Sequence, residues 1–258
     1  MALEKHSEAR ERLAAEHTSP AIAERLADAS NHSHLRDFVL GAIDGVVTTF
    51  AVVAGVAGAD YPASVAIVLG MANLAADGFS MAVSNYIGTK GEHQALDEIR
   101  RSEQAHIRVV PDGEREEIRQ IYANKGFEGD LLEQIVDVIT ADERRWVDTM
   151  VTEEFGLQLE MPSPIRAAMS TFAAFVLAGF LPLLPYCLPW RLENESLFAV
   201  SSTLTGATFF LIGVAKGHVV QRSKWLSGLE TLLIGGAAAV LAYGVGVLLH
   251  AIVPEAQF

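Results

Sequence analysis

One cysteine, Cys187, stands in 258 residues, so no intramolecular disulfide is open to the chain and a cystine-stapled scaffold is excluded. Charged residues are sparse at 20%, below the roughly 25% of an ordinary soluble domain. Basic residues are the scarcer kind, 19 Lys and Arg against 32 Asp and Glu. The net charge of −13 argues against nucleic acid as a partner and favours cations. Between Arg36 and Lys90 there is no Lys or Arg at all, a gap no soluble domain needs. Against these shortages, half of the residues are hydrophobic and the mean hydropathy is +0.27. An ordinary one-core soluble enzyme and a disordered chain are both excluded.

The apolar residues are segregated. Five stretches reach the ~20 residues that a bilayer crossing needs: Phe38 to Ala59, Ala63 to Ile87, Ala167 to Leu188, Leu197 to Ala215 and Leu229 to Val253. The third and fourth carry no charge, and the first two carry one Asp each, Asp44 and Asp77. The first 30 residues are polar, without the apolar stretch of a cleavable signal peptide. With five crossings, 18 of the 19 basic residues fall on one side and Arg191 alone on the other. The positive-inside rule then puts the N-terminus in the cytosol and the C-terminus across the membrane. The expected fold is an all-α integral membrane protein with five transmembrane helices and a cytosolic helical metal-binding domain inserted between helices 2 and 3. Its divisions are a polar arm (1–36), helices 1 and 2 (37–88), the acidic domain (89–166) and helices 3 to 5 (167–258).

Gly88 to Arg166 holds 18 acidic and 10 basic residues. The second membrane helix is expected to run on to about Ile107, with Pro111-Asp112-Gly113 as a break. Further helices are expected over Glu114–Ala123, Gly129–Ile139 and from a Thr140–Glu143 capping box to about Gly156. Glu92, Leu96, Ile99, Glu103 and His106 follow at near-helical spacing, so Glu103 and His106 share a face. Glu114 and Glu117 repeat the interval, and Met150 and Glu154 lie one turn apart. Carboxylates with one imidazole and one thioether suit a first-row dication better than Ca²⁺ or Mg²⁺. The same residues also read as solvated acidic faces paired to Arg100, Arg101, Arg115 and Arg119. Glu103-Gln104-Ala105-His106 is a Glu-x-x-His motif, but it occurs once, whereas a di-iron bundle uses two.

A charge inside the bilayer costs about 3 kcal/mol or more and usually serves function. Asp44 is therefore the foremost candidate. On the second helix Asn73, Asp77, Ser80 and Met81 form a polar stripe with Ser84 and Asn85 near it, a plausible cation path. Glu230, near the cytosolic end of the last helix, fits either the path or the interface. His32 and His34 in the arm are possible ligands that read better as surface residues. Pro182 and Pro185 should kink the third span.

Four segments occur in order: DFVLGAIDGVVTTFAVVAG (Asp37–Gly55), AADGFSM (Ala75–Met81), GFLPLLPY (Gly179–Tyr186) and KGH (Lys216–His218). They resemble the vacuolar iron transporter family, and the resemblance covers almost everything after Leu35. It implies a homodimer with a path at its interface, lined by Asp44 and Met81. It implies export of Fe²⁺, and often Mn²⁺ and other divalent metals such as Co²⁺ and Zn²⁺, from the cytosol in exchange for protons. It also implies a cytosolic metal site at Glu103, Glu114, Glu117, Met150 and Glu154, with His106 where the family carries Glu, Asn73 where plant members commonly carry Glu, and Val151 for a second Met. The resulting expectation is a proton-coupled transporter in a cell or vacuole-type membrane, not an enzyme. The alternatives are a membrane-anchored ferroxidase-like enzyme and a metal-sensing membrane protein.

Overall fold

A computed structural model of the chain describes residues 13–28, 35–188, 193–219 and 222–252. His32, His34 and Arg191 lie outside these residues. All regular structure among the described residues is helical. In chain order the helices are α1 (Ser19–Asp28), α2 (Leu35–Gly58), α3 (Ala63–Val109), α4 (Pro111–Asn124), α5 (Gly129–Thr140), α6 (Glu143–Glu153), α7 (Pro164–Gly179), α8 (Leu184–Cys187), α9 (Asn194–Val219) and α10 (Lys224–Ile252). Five helical segments are long and apolar enough to cross a bilayer: α2, α3, Pro164–Cys187, Asn194–His218 and α10. The chain divides into two compact units, one of His34–Lys90 with Ser163–Phe258, the other of Gly91–Pro162 with the N-terminal arm. Helix α3 contributes residues to both.

In the apolar unit, α2 packs against α7, α9 and α10. The α2–α7 crossing is close because Gly41 and Gly45, four residues apart, face the backbone at Thr171 and Phe175. A Cβ on Gly45 would collide with the Phe175 carbonyl. Small residues at this interval let helices in lipid gain dispersion contacts that bulkier side chains would prevent. Phe50, Val53, Leu74, Phe175 and Leu183 form the core, with Met81 packed on its edge. The expected break in the third span is present: α7 ends at Gly179, a 3₁₀ turn covers Leu181–Leu183, and α8 begins at Leu184. Proline removes the N–H that would continue the helical ladder. The Pro182 carbonyl accepts instead from Ser201 Oγ at 2.7 Å.

In the acidic unit, one cluster joins Ile118, Val136, Ile139, Trp146 and Met150, and a second joins Leu96, Val147 and Val151. Each such side chain, fully buried, contributes about 1.5–3 kcal/mol. The expected break falls at Pro111-Asp112-Gly113: α3 ends at Val109, and these residues, expected to precede the next helix, form its first turn after Val110 alone. Proline is well placed at a first helical position, where its missing N–H would be unpaired in any case. The Thr140–Glu143 capping box, by contrast, is absent. Thr140 closes α5, its hydroxyl donating to the Val136 carbonyl, while Asp142 caps α6 by accepting from the Arg145 N–H at 2.8 Å. A carboxylate one residue from the helix start reaches that donor better than a hydroxyl three residues back. The stop at Asn124-Lys125-Gly126 is as expected, with Gly126 at φ +95° closing α4.

Candidate metal-binding sites

The acidic unit assembles its site at the α3–α4 junction. Glu103 and His106 sit three residues apart on α3, so they share a face. Val110 turns the chain so sharply that Glu114, in the first turn of α4, returns beside them. His106 Nδ1 lies 3.8 Å from Glu103 Oε1 and 3.5 Å from Glu114 Oε1. One donor atom from each residue falls within 4.8 Å of the others, a spread that one ion with bonds of about 2.1 Å nearly spans.

Burial makes this cluster unusual. The Glu103 and Glu114 side chains are 4% and 5% exposed, against 55% for His106. Oε2 of each carboxylate is buried without a hydrogen-bond donor. Burying a charge without a partner is costly, so a carboxylate held this way has an unmet demand for a cation or a proton. Burial, then the charges of Glu117 and Glu103, pushes Glu114 up to about 7, with His106 opposing. Burial raises Glu103 as well, again against His106. Glu154 is raised by burial and then by the charges of Glu103 and Glu117. The Glu117 charge thus bears on Glu103, Glu114 and Glu154 alike.

The arginines do not neutralise the site. Arg115 pairs with Asp137, Arg119 with Glu116 and Glu133, Arg101 with Glu98, and Arg100 with Asp148 at 3.7 Å. Among the described residues, no Lys or Arg pairs with Glu103 or Glu114. The solvated-face reading thus holds for the outer carboxylates and fails for this pair. Met150 is fully buried beside Trp146. Glu92, on the α3 face of Glu103 but 11 residues earlier, stands about 16 Å away along the axis.

In the apolar unit Asp44 is half-buried, and its carbonyl accepts from Thr48 Oγ1 at 2.8 Å. Asn73 donates to the same Thr48 oxygen at 3.3 Å, tying α3 to α2 beside Asp44. Asp77 and Ser80 are exposed on α3, and Met81 is half-buried. Glu230 differs from the other membrane candidates in having a base nearby, Lys216 at 3.9 Å. One feature escaped sequence reading. Asn85 donates to Asp37 at 3.1 Å and to Thr171 at 2.7 Å, and Thr89 donates to Asn85 at 3.5 Å, so a polar knot joins α2, α3 and α7. Its only signal is a run of polar residues in helices that have little need of them.

A sequence model of the VIT family matches residues 35–247. The chain belongs to the VIT family. The matched span includes every candidate residue named above except His32 and His34. Similar proteins include "Vacuolar iron transporter 1" of Oryza sativa subsp. japonica, 34% identical over 238 residues, covering 87% of this chain and 93% of that protein. "Vacuolar iron transporter 1" of Arabidopsis thaliana is 34% identical over 212 residues, 81% of this chain and 83% of its own length. "Vacuolar iron transporter" of Toxoplasma gondii is 31% identical over 233 residues, 87% and 77% of the two chains. These VIT relatives are named as transporters, not enzymes.

Proposed function

We propose that this VIT-family protein is a transporter that moves Fe²⁺, and with it Mn²⁺ and related dications, out of the cytosol across a membrane in exchange for protons. The observation that carries the reading is the pair of buried carboxylates, paired with no Lys or Arg among the described residues and facing an imidazole, in a chain similar to proteins named vacuolar iron transporters. The basic-residue asymmetry supports a cytosolic position for residues 89–166. There Glu103, His106 and Glu114, with Glu117, Glu154 and Met150 around them, capture metal and raise its local concentration. Two copies of the chain associate, and Asp44 and Met81 of each line the path with Asn73, Asp77 and Ser80. Glu230, matched by Lys216, stands at its cytosolic end.

The coupling follows from acid–base chemistry. A carboxylate oxygen that binds a dication must first lose its proton, so metal and proton compete for one place. A proton arriving from the far side at Asp44 displaces the metal outward. The test is metal flux into proteoliposomes under an imposed pH gradient, with Fe²⁺, Mn²⁺, Co²⁺ and Zn²⁺ compared. Inward acidity should drive uptake and metal entry should release protons. Uptake indifferent to the gradient would remove the exchange step, and no uptake of any metal would remove the transporter reading.

A further inference from the structure

We infer that His106 makes the Glu103–His106–Glu114 cluster selective for the borderline dications Fe²⁺, Co²⁺ and Zn²⁺ over Mn²⁺ and the hard ions Mg²⁺ and Ca²⁺. The inference rests on the cluster being a cargo site and adds what that site prefers. Carboxylate oxygens alone discriminate poorly, since they serve Mg²⁺, Ca²⁺ and Mn²⁺ as readily as later metals. An imidazole nitrogen steepens the order, because it suits the later first-row ions, whose affinity rises from Mn²⁺ through Fe²⁺ to Co²⁺ and beyond, better than it suits the hard ones.

The geometry puts this nitrogen where an ion must sit. Its ring is more than half exposed, yet Nδ1 is turned inward, within 4 Å of an oxygen of both buried carboxylates. It is the one non-oxygen donor in the tight group. The three-residue interval on a continuous helix puts it on the face of Glu103. The oxygens that face it are Oε1 of Glu103 and of Glu114, and the second oxygen of each carboxylate, Oε2, is buried and has no donor of its own. An ion entering from the His106 side therefore meets the nitrogen and both acids together.

The experiment uses the full-length protein in detergent micelles with Co²⁺ or Mn²⁺ alone. Affinities are measured by equilibrium dialysis, and Co²⁺ ligation by its visible absorption. The native protein should favour Co²⁺ over Mn²⁺, and His106→Glu, three hard oxygens in place of two, should shrink that preference by about tenfold. His106→Ala should weaken Co²⁺ more than Mn²⁺ and alter the Co²⁺ bands. Unchanged preference and bands in both variants would overturn the inference. Measured without mutation, electron spin-echo modulation of bound Mn²⁺ should show imidazole nitrogen, and its absence would equally overturn it. The double variant Glu103→Gln, Glu114→Gln separates the two levels. If it binds Co²⁺ as the native protein does, the cargo-site reading itself fails. If it loses Co²⁺ while the His106 variants keep the native preference, only the role of the imidazole fails.

Discussion

Among the described residues, neither Asp44 in the apolar unit nor the Glu103–Glu114 pair in the acidic unit is paired with Lys or Arg, and the two reach this by opposite means. Around Asp44 the bases are absent from the sequence, with none from Arg36 to Lys90. Around Glu103 and Glu114 bases are plentiful, but Arg100, Arg101, Arg115 and Arg119 are each held by other acids. Surface ion pairs of that kind add little stability. Their consequence here is that the surface acids, not the buried ones, are neutralised. The two settings differ in their neighbours. At Asp44 the Thr48 hydroxyl donates to the main-chain carbonyl and the Asn73 amide to that hydroxyl, whereas Glu103 and Glu114 have an imidazole within 4 Å and the Glu117 charge acting on both.

The sharpest way to break this contrast is to break the apolar unit itself. Gly45→Leu drives a side chain into the Phe175 carbonyl, and the backbone cannot yield without parting α2 from α7. The variant should fail to give a monodisperse peak on size exclusion, whereas Gly236→Leu, where no atom lies within 4 Å of an added Cβ, should elute as the native protein does. Next in size is Asp44→Asn. It keeps shape and hydrogen bonding but loses the charge, so flux should fall at least 100-fold with assembly intact, the size of effect that loss of one well-placed electrostatic group has at reacting sites. Native-level flux would separate Asp44 from the cargo and leave only the acidic unit to compare.

How much of this was readable from residues alone depends on the range of the interaction. The membrane helices were, because twenty apolar residues in a row have few other uses, and the break at Pro182 was, because proline acts on its own backbone. Glu103 and His106 were paired by their spacing. Glu114 could join them only through the tight turn at Val110, and a break at Pro-Asp-Gly gives no angle between the two helices. The partners of Asn85 are not legible in the same way, because Asp37 and Thr171 lie 48 and 86 residues away. Glu92 shows the reverse error, since helical periodicity gives a shared face but says nothing of the rise along the axis.

A smaller effect tests whether the thioether belongs to the held ion. Met150 is fully buried in the core with Ile118 and Trp146. Met150→Leu conserves volume and should cost less than about 1.5 kcal/mol, leaving the near-ultraviolet dichroism of the tryptophans in place. If sulfur is a ligand, Co²⁺ affinity should fall several-fold while Mg²⁺ affinity is unmoved, as a soft donor predicts. Equal losses for both ions would make Met150 a packing residue only.

The smallest effect is a pH dependence in the metal-free protein. Glu114 is raised to about 7, first by burial and then by Glu117 and Glu103, whereas in the unfolded chain it titrates near the ordinary glutamate value of about 4.3. Between those values the folded chain holds a proton that the unfolded chain has released. The slope of unfolding free energy with pH follows the protons bound unfolded minus those bound folded, so it is negative in this window. The stability of the acidic unit should therefore decline as pH rises from about 4.5 to 7 and level off above. Glu114→Gln, which carries no charge at any pH, should flatten that decline in melts followed through the tryptophan signal. A native profile that rises across the window would mean that the carboxylate is already matched by a cation, and the contrast with the ion-paired surface acids would disappear.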